Sequence, residues 1–278
     1  MSGFTTTKKI SSIALGAFDG IHIAHQELIQ RVDGVVIIEK GAVLTPGKTR
    51  CKYVDKPCFF YPLSKIKDLD AKAFVALLKR DFPQLQKIVV GYDFAFGKDR
   101  RYSIADLKEL FGGVVEVVEE IKLDGVSVHS RVIKEYLKEG RIQEANRLLG
   151  RCYQIEGRIV KGLGLGSKEL VPTINLEVKE YLLPKEGVYL SLTNDHPSLT
   201  FIGKRESVDG SFSIETHLLR LGTIEYPKIC FIKYLRPNRK FGSLKELKQQ
   251  IQRDIALAKE KFRALFSDPH FSDFCRCR

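Results

Sequence analysis

A chain of 278 residues is longer than one hydrophobic core usually serves, so two domains are expected. Hydrophobic residues make up 44% and charged residues 29%, the balance of an ordinary globular protein, which sets aside disordered and fibrous classes. The net charge of +12 points to an anionic partner (phosphorylated small molecules, nucleic acid or an acidic membrane) without choosing among them.

No apolar run approaches the roughly 18 residues of a membrane span. The apolar stretch after Thr7-Lys8-Lys9 is broken by Ser11, Ser12 and Gly16, so it is not read as a secretory signal. The six cysteines (Cys51, Cys58, Cys152, Cys230, Cys275 and Cys277) show neither C-x-x-C spacing nor a disulfide-framework pattern. Reduced thiols and a cytoplasmic location are the expectation; Cys275 and Cys277, in a basic tail, offer adventitious metal binding as the disfavoured alternative.

Taken in order, Ile10 to Leu15 reads as a strand and Gln26 to Val32 as a helix with Leu28 and Ile29 on its buried side. Gly34 to Ile38 reads as a second, buried strand and Gly41 to Pro57 as a basic loop carrying Lys48, Arg50 and Lys52. Cys58 to Tyr61 is a short strand. A helix starts at Asp70, with Phe74, Leu77 and Leu78 at helical spacing and Pro83 beyond its end. Lys87 to Gly91 is another buried strand, followed by a helix from Ser103 to Phe111 and a strand from Val114 to Val118. Such alternation predicts a doubly wound, Rossmann-like α/β sheet. Helices Val132 to Glu139 and Ile142 to Leu149 lead to a boundary at Gly150-Arg151. Beyond it, Tyr153 to Ile159, Val188 to Leu192, Leu199 to Ile202, Ser213 to Leu219 and Lys228 to Leu235 are candidate strands of a small antiparallel β-barrel. A last helix, Ser243 to Leu265, opens on a capping box of Ser243 and Glu246.

Between the first strand and the first helix runs Leu15-Gly16-Ala17-Phe18-Asp19-Gly20-Ile21-His22-Ile23-Ala24-His25. A strand that turns through glycines into a helix presents free N–H groups and a positive dipole end, which suits a phosphate. Two imidazoles at i and i+3 can reach one anionic ligand. The plainer alternatives stand beside this: a histidine near a helix start is more often a cap or a surface group, and glycines serve ordinary turns. In the second half, Gly157 to Gly166 is a strand running into a glycine-rich loop. Such a loop is either a phosphate cradle with Lys161 beside it or a simple hairpin. Ile214-Glu215-Thr216-His217-Leu218 is a strand on which Glu215 and His217 share a face.

These stretches resemble, in order, the motifs of the bacterial bifunctional riboflavin kinase/FMN adenylyltransferases (FAD synthetases). The first is similar to the G-x-F-D-G-x-H-x-G-H form of the nucleotidyltransferase signature, with Ala24 in place of the glycine between the histidines. Gly91-Tyr92-Asp93-Phe94-Ala95-Phe96-Gly97 resembles the family's G-x-D-F-x-F-G loop. His129 to Lys134 stands where the family has I-S-S-T-x-I-R, agreeing at Ser130 and Ile133 with Lys134 for arginine. The family's F-x-P-H-P segment is replaced by Glu39-Lys40-Gly41. Pro172-Thr173-Ile174-Asn175 resembles P-T-A-N, Ile214 to His217 resembles [IV]-E-[VT]-H, and Phe201 to Ser207, with Arg205, is a reduced N-I-G-x-R-P-T.

The resemblance implies an adenylyltransferase domain over 1–150 and a riboflavin kinase domain over 151–278, with ATP, Mg²⁺ and flavins (riboflavin, FMN and FAD) as ligands. It implies that His22 and His25 stabilise the triphosphate, with Gly16, Phe18, Asp19, Asp93, Ser130 and Lys134 seating the nucleotide. It implies that Glu215 is the base toward riboflavin, Thr173 and Asn175 hold Mg²⁺, and Lys161, Gly162, Gly164 and Arg205 line the ligands. Loss of one activity, or a flavin- or RNA-binding regulator without turnover, are the competing readings. No aromatic platform of an RNA module accompanies the positive charge, so neither nucleic acid nor membrane is expected as partner.

Overall fold

The computed structural model describes residues 7, 9–162, 170–220, 222–269 and 271–277, apart from the side chains of 272 and 273. It forms two compact units, Met1–Ser130 and Arg131–Arg278.

The first unit is a five-stranded, all-parallel sheet in the order β3-β2-β1-β4-β5, formed by β1 (Ser12–Gly16), β2 (Gly34–Glu39), β3 (Cys58–Pro62), β4 (Lys87–Gly91) and β5 (Val114–Val118). The helices are α1 (Ile23–Ile29), α2 (Leu63–Ile66), α3 (Ala71–Asp81) and α4 (Ile104–Phe111). The strands are continuous apolar runs because both sheet faces are covered. Ile13, Leu15, Val36, Ile88 and Val90 pack into one buried cluster, and Ala14, Val35, Ile37 and Val89 into another. Strand order reverses between β1 and β4, and open α/β sheets bind ligands beyond the carboxyl ends of the strands at such a switch point. A short hairpin, β6 (Lys122–Leu123) and β7 (Val126–Ser127), closes the unit.

Local signals set the helix ends. Asp70 caps α3 by accepting the Ala73 N–H at 2.8 Å, and Ser103 with Asp106 makes a capping box on α4. The first helix begins at Ile23, three residues before its expected start, because the His22 side chain serves as its N-cap. The basic loop expected over 41–57 contains a 3₁₀ helix, Gly47–Tyr53, with Arg50 fully buried.

In the second unit α5 (Ser130–Glu139) and α6 (Ile142–Leu149) precede a seven-stranded antiparallel sheet in the order β8-β14-β11-β12-β13-β10-β9. The strands are β8 (Tyr153–Glu156), β9 (Arg158–Val160), β10 (Ile174–Glu177), β11 (Gly187–Thr193), β12 (His196–Lys204), β13 (Phe212–Leu218) and β14 (Lys228–Arg236). The edge strands β8 and β9 are consecutive in the chain with Gly157 alone between them, so the sheet curls. The curled sheet is followed by α7 (Leu244–Phe266) and a terminal turn, α8 (Phe271–Phe274). Helix α6 packs with β8 and β14: Asn146 donates to the Phe231 carbonyl at 2.8 Å and accepts the Tyr153 N–H at 2.7 Å.

Inside the sheet, Ser191, Thr193, Ser198, Thr200 and Thr216 are all fully buried and bond to one another through their hydroxyls. Their mutual satisfaction makes burial of so many polar groups tolerable. The expectation of reduced thiols is corrected at one pair: Cys152 and Cys275 form a disulfide across 123 residues. Two cysteines so far apart in the chain leave no spacing signal to read.

Candidate active sites

At the end of β1 the chain folds over itself. The Phe18 ring packs on Gly16, where a Cβ would meet it at 3.3 Å, and Phe18 and Ile21 adopt left-handed backbone, φ 53° and 39°. Non-glycine residues in that region cost roughly 1–3 kcal/mol each unless surroundings over-determine them. The surroundings do so here. The Asp19 carboxylate accepts N–H groups of Val43, Leu44 and Thr45 at 3.1, 2.8 and 3.3 Å, and Thr45 Oγ1 accepts the Gly20 N–H at 2.9 Å. Ser130 Oγ donates to the Asp19 carbonyl at 2.6 Å. From below the loop Arg50 donates to the Ala17 carbonyl at 2.8 Å, to the Gly47 carbonyl at 3.0 Å and to the Glu39 carboxylate. Burial pulls the Arg50 guanidinium below its ordinary pKa, and the nearby Asp19 carboxylate opposes that.

This frame aims the two imidazoles. Their rings stack at 3.6 Å between centroids, 14° from parallel, and Phe18 meets the His25 ring edge-on at 5.1 Å. His22 Nδ1 accepts the His25 N–H at 3.3 Å, which puts the proton of the neutral His22 ring on Nε2, a donor. His22 is only 3% exposed, whereas His25 is half-buried, so His25 is the more open of the pair. The loop after β4 leaves the same sheet edge as the loop after β1. Within it Asp93 is exposed, Phe96 is buried in the core against Phe74, and Tyr92 bonds His129 Nε2 at 2.8 Å. Lys134 lies on α5, among the residues of the second unit.

In the second unit the site is carried by strands. Asn175 on β10 pairs in register with Glu215 on β13. Thr173 Oγ1 donates to Glu215 Oε2 at 3.3 Å, and Ser213 Oγ to Glu215 Oε1 at 2.9 Å. Arg205 Nη1 stands 3.6 Å from Glu215 Oε1 while its other nitrogens hold Asp209 and Ser211. Gly162 lies hard against the Asn175 amide, leaving no room for a Cβ; Lys161 is exposed. Gly164 lies outside the described residues. A pocket includes Thr173, Asn175, Arg205 and Glu215 in its lining, together with Leu247 and Ile251 of α7. Helix α7 is tied to β14 by a bidentate ion pair, Arg236 Nε and Nη2 to Asp254 at 3.0 and 2.7 Å.

The model of the riboflavin kinase family matches residues 149–262. Along nearly the whole length, the chain is 30% identical to the bifunctional riboflavin kinase/FMN adenylyltransferase of Pseudomonas fluorescens, covering 88% of this chain and 91% of that one. The chain belongs to this family. The Escherichia coli K12 bifunctional riboflavin kinase/FMN adenylyltransferase is 27% identical over 90% of the chain and 92% of its own length. A solved structure described as a macrolide-efflux protein from Streptococcus pneumoniae superposes with a TM-score of 0.79 over 91% of this chain and 96% of that one; at 23% identity it shares the fold.

Several residues of this member of the bifunctional family were not singled out by motif. Ser213 sits two residues before Glu215 on one strand face, a period-2 signal that could have found it. Asp254 interrupts the apolar face Ile251, Ile255 and Ala258 of α7, and an acid on such a face announces a buried partner. Arg50 and Thr45 carry no such signal; only the fold brings them to the loop that precedes the histidines.

Proposed function

We propose that this chain carries out both reactions of its family: transfer of the ATP γ-phosphoryl group to riboflavin, giving FMN, and adenylylation of FMN to FAD with release of pyrophosphate. The kinase reaction is assigned to the second half, residues 151–278, within the small barrel that the family fold implies. The adenylyl transfer is assigned to the first, residues 1–150.

The observation that carries this reading is the convergence of Thr173, Asn175 and Glu215, on or beside two paired strands, at a pocket. In the kinase step Glu215 accepts the proton of the riboflavin 5′-hydroxyl as that oxygen attacks the γ-phosphorus and ADP leaves. Ser213 and Arg205 hold the carboxylate in position for this. Thr173 and Asn175 offer a hydroxyl and an amide oxygen, a donor set that fits Mg²⁺ when phosphate and water supply its other ligands. Among the described residues no three His, Cys, Asp or Glu side chains gather as a metal cage. Such a cation would neutralise charge on the phosphates.

In the adenylyl transfer the FMN phosphate attacks the ATP α-phosphorus in line and pyrophosphate leaves, with no covalent enzyme intermediate. His22 and His25 donate to the phosphate oxygens where charge accumulates, an interaction typically worth a few kcal/mol per donor. Their loop is held rigid beforehand by Asp19, Thr45 and Arg50, so little reorganisation accompanies the step. Gly16, Phe18 and Ser130 shape that loop, and Asp93 contributes a polar contact to the nucleotide.

Incubation of the chain with riboflavin and Mg-ATP, followed by chromatography, tests this. FMN should appear first and FAD after it; FMN alone would remove the adenylyl-transfer assignment, and neither product would remove both.

A further inference from the structure

Four of the six cysteines meet in the second unit. Cys152, just before β8, is bonded to Cys275, just after α8. Two residues on, Cys277 lies with its Sγ 2.6 Å from the Sγ of Cys230 on β14, closer than unbonded sulfur atoms rest. Its place is set independently of that contact. The Cys277 N–H donates to Asp195 Oδ1 at 2.8 Å, and its thiol lies against the carbonyls of Lys228 and Leu192 at 3.6 and 3.7 Å. The four cysteines form two pairs rather than a metal cage: among the described residues no group of three potential ligands converges.

The terminal segment shares a core with the pocket's helix. Phe271 and Cys275 are buried with Ala258 and Phe262 of α7 and with Cys152 and Cys230, and Ile255 packs against that cluster. Ile255 also lines the pocket, one turn from Ile251. One helix therefore touches the terminal segment along its later turns and the ligand pocket along its earlier ones.

We propose that Cys230 and Cys277 are a second disulfide site, oxidised by a small-molecule disulfide, and that this bond sets the firmness of the pocket wall formed by α7. The hydrogen bond shared with Cys230 draws the Cys277 thiol below its ordinary pKa against the effect of burial, while burial pushes Cys230 well up. Cys277 is therefore the attacking thiolate. It forms a bond to one sulfur of the small disulfide and expels the other as a thiolate, which takes a proton from water. The Cys230 sulfur, losing its proton to solvent, then attacks Cys277 Sγ and expels the second small thiol. Two protein thiols and one small disulfide become one protein disulfide and two small thiols. Reduction of both pairs leaves the terminal segment held by weak contacts alone, and the later turns of α7 lose part of their packing. Thr173, Asn175 and Glu215 lie on or beside β10 and β13, outside that change. The expected consequence is weaker riboflavin binding with little change in turnover; this kinetic half rests on the kinase reading above.

The test uses the full chain equilibrated with oxidised glutathione or with dithiothreitol, blocked with iodoacetamide and digested by trypsin without reductant. Arg276 stands between Cys275 and Cys277, so trypsin separates the two. The oxidised sample should yield peptide 229–233 linked to dipeptide 277–278, beside 152–158 linked to 264–276. Recovery of 277–278 alkylated, or capped by glutathione, overturns the site. KM for riboflavin should rise several-fold in dithiothreitol with kcat nearly constant, and Cys277→Ser, which keeps the first disulfide, should fall between the two states. An equal KM in both states overturns the coupling to α7. Absence of FMN formation in both states would refute the kinase reading instead, and the peptide map would still decide the bond.

Discussion

In the first unit the groups assigned to the ligand hang on loops beyond a parallel sheet, and their geometry depends on polar side chains brought from 25 and 33 residues away: Thr45 and Arg50, which hold the loop that leads to His22. In the second they ride on neighbouring antiparallel strands, where the pairing of Asn175 with Glu215 is fixed by the sheet ladder itself. A loop-borne site spends strain and buried polar bonds to become rigid, whereas a strand-borne site inherits its rigidity. The first should therefore respond to changes at residues that touch no ligand, the second chiefly to changes at the residues that do.

The largest expected effect is at Glu215. Glu215→Gln should lower FMN formation by about 10²–10⁴-fold, the usual range for loss of a general base, while FAD formation from supplied FMN stays intact. Rates of the separate steps check it.

Arg50 sharpens the contrast. Arg50→Lys keeps the charge, but a single ammonium cannot serve Ala17, Gly47 and Glu39 together. Adenylylation should fall about tenfold through kcat as the loop loosens, with the kinase step unchanged. Arg50→Met should also lower stability, toward the low end of the roughly 3–5 kcal/mol typical of breaking a buried pair, because Glu39 keeps 30% side-chain exposure. Denaturant titration reads that loss.

The smallest of these effects is at Gly162. A Cβ there would push the Asn175 amide aside, so Gly162→Ala should raise KM for Mg-ATP in the kinase step, by up to about tenfold, and leave adenylylation alone. An equal effect on both steps would erase the distinction between the units.

The same contrast explains what could be read in the sequence. Continuous apolar runs such as Lys87 to Gly91 and Val114 to Val118 gave strands whose ends match the structure, since period and turn residues are local signals. Strand β10 was hidden because Pro172 to Asn175 reads as a turn; its pairing with β13 and β9 makes it a strand. The sequence pattern places the start of α1 three residues late because histidine is a rare N-cap and its ring accepts the His25 N–H only in the folded loop. Alternation marks the face of Glu215, and the likeness to P-T-A-N marks Thr173 and Asn175; the structure places the three in the lining of one pocket. Arg50 was legible only as one positive charge in a basic loop, since nothing local marks a guanidinium that will be buried under a strand end 33 residues away.

Two independent sites in one chain is the central claim, and complementation tests it most directly. Glu215→Gln and His25→Ala are each given riboflavin and Mg-ATP, alone and as an equimolar mixture. Glu215→Gln alone should form neither flavin nucleotide, and His25→Ala alone should stop at FMN. The mixture should form FAD, because FMN released by one variant is adenylylated by the other. A mixture that forms no FAD, or a His25→Ala protein that fails to make FMN, would contradict the account.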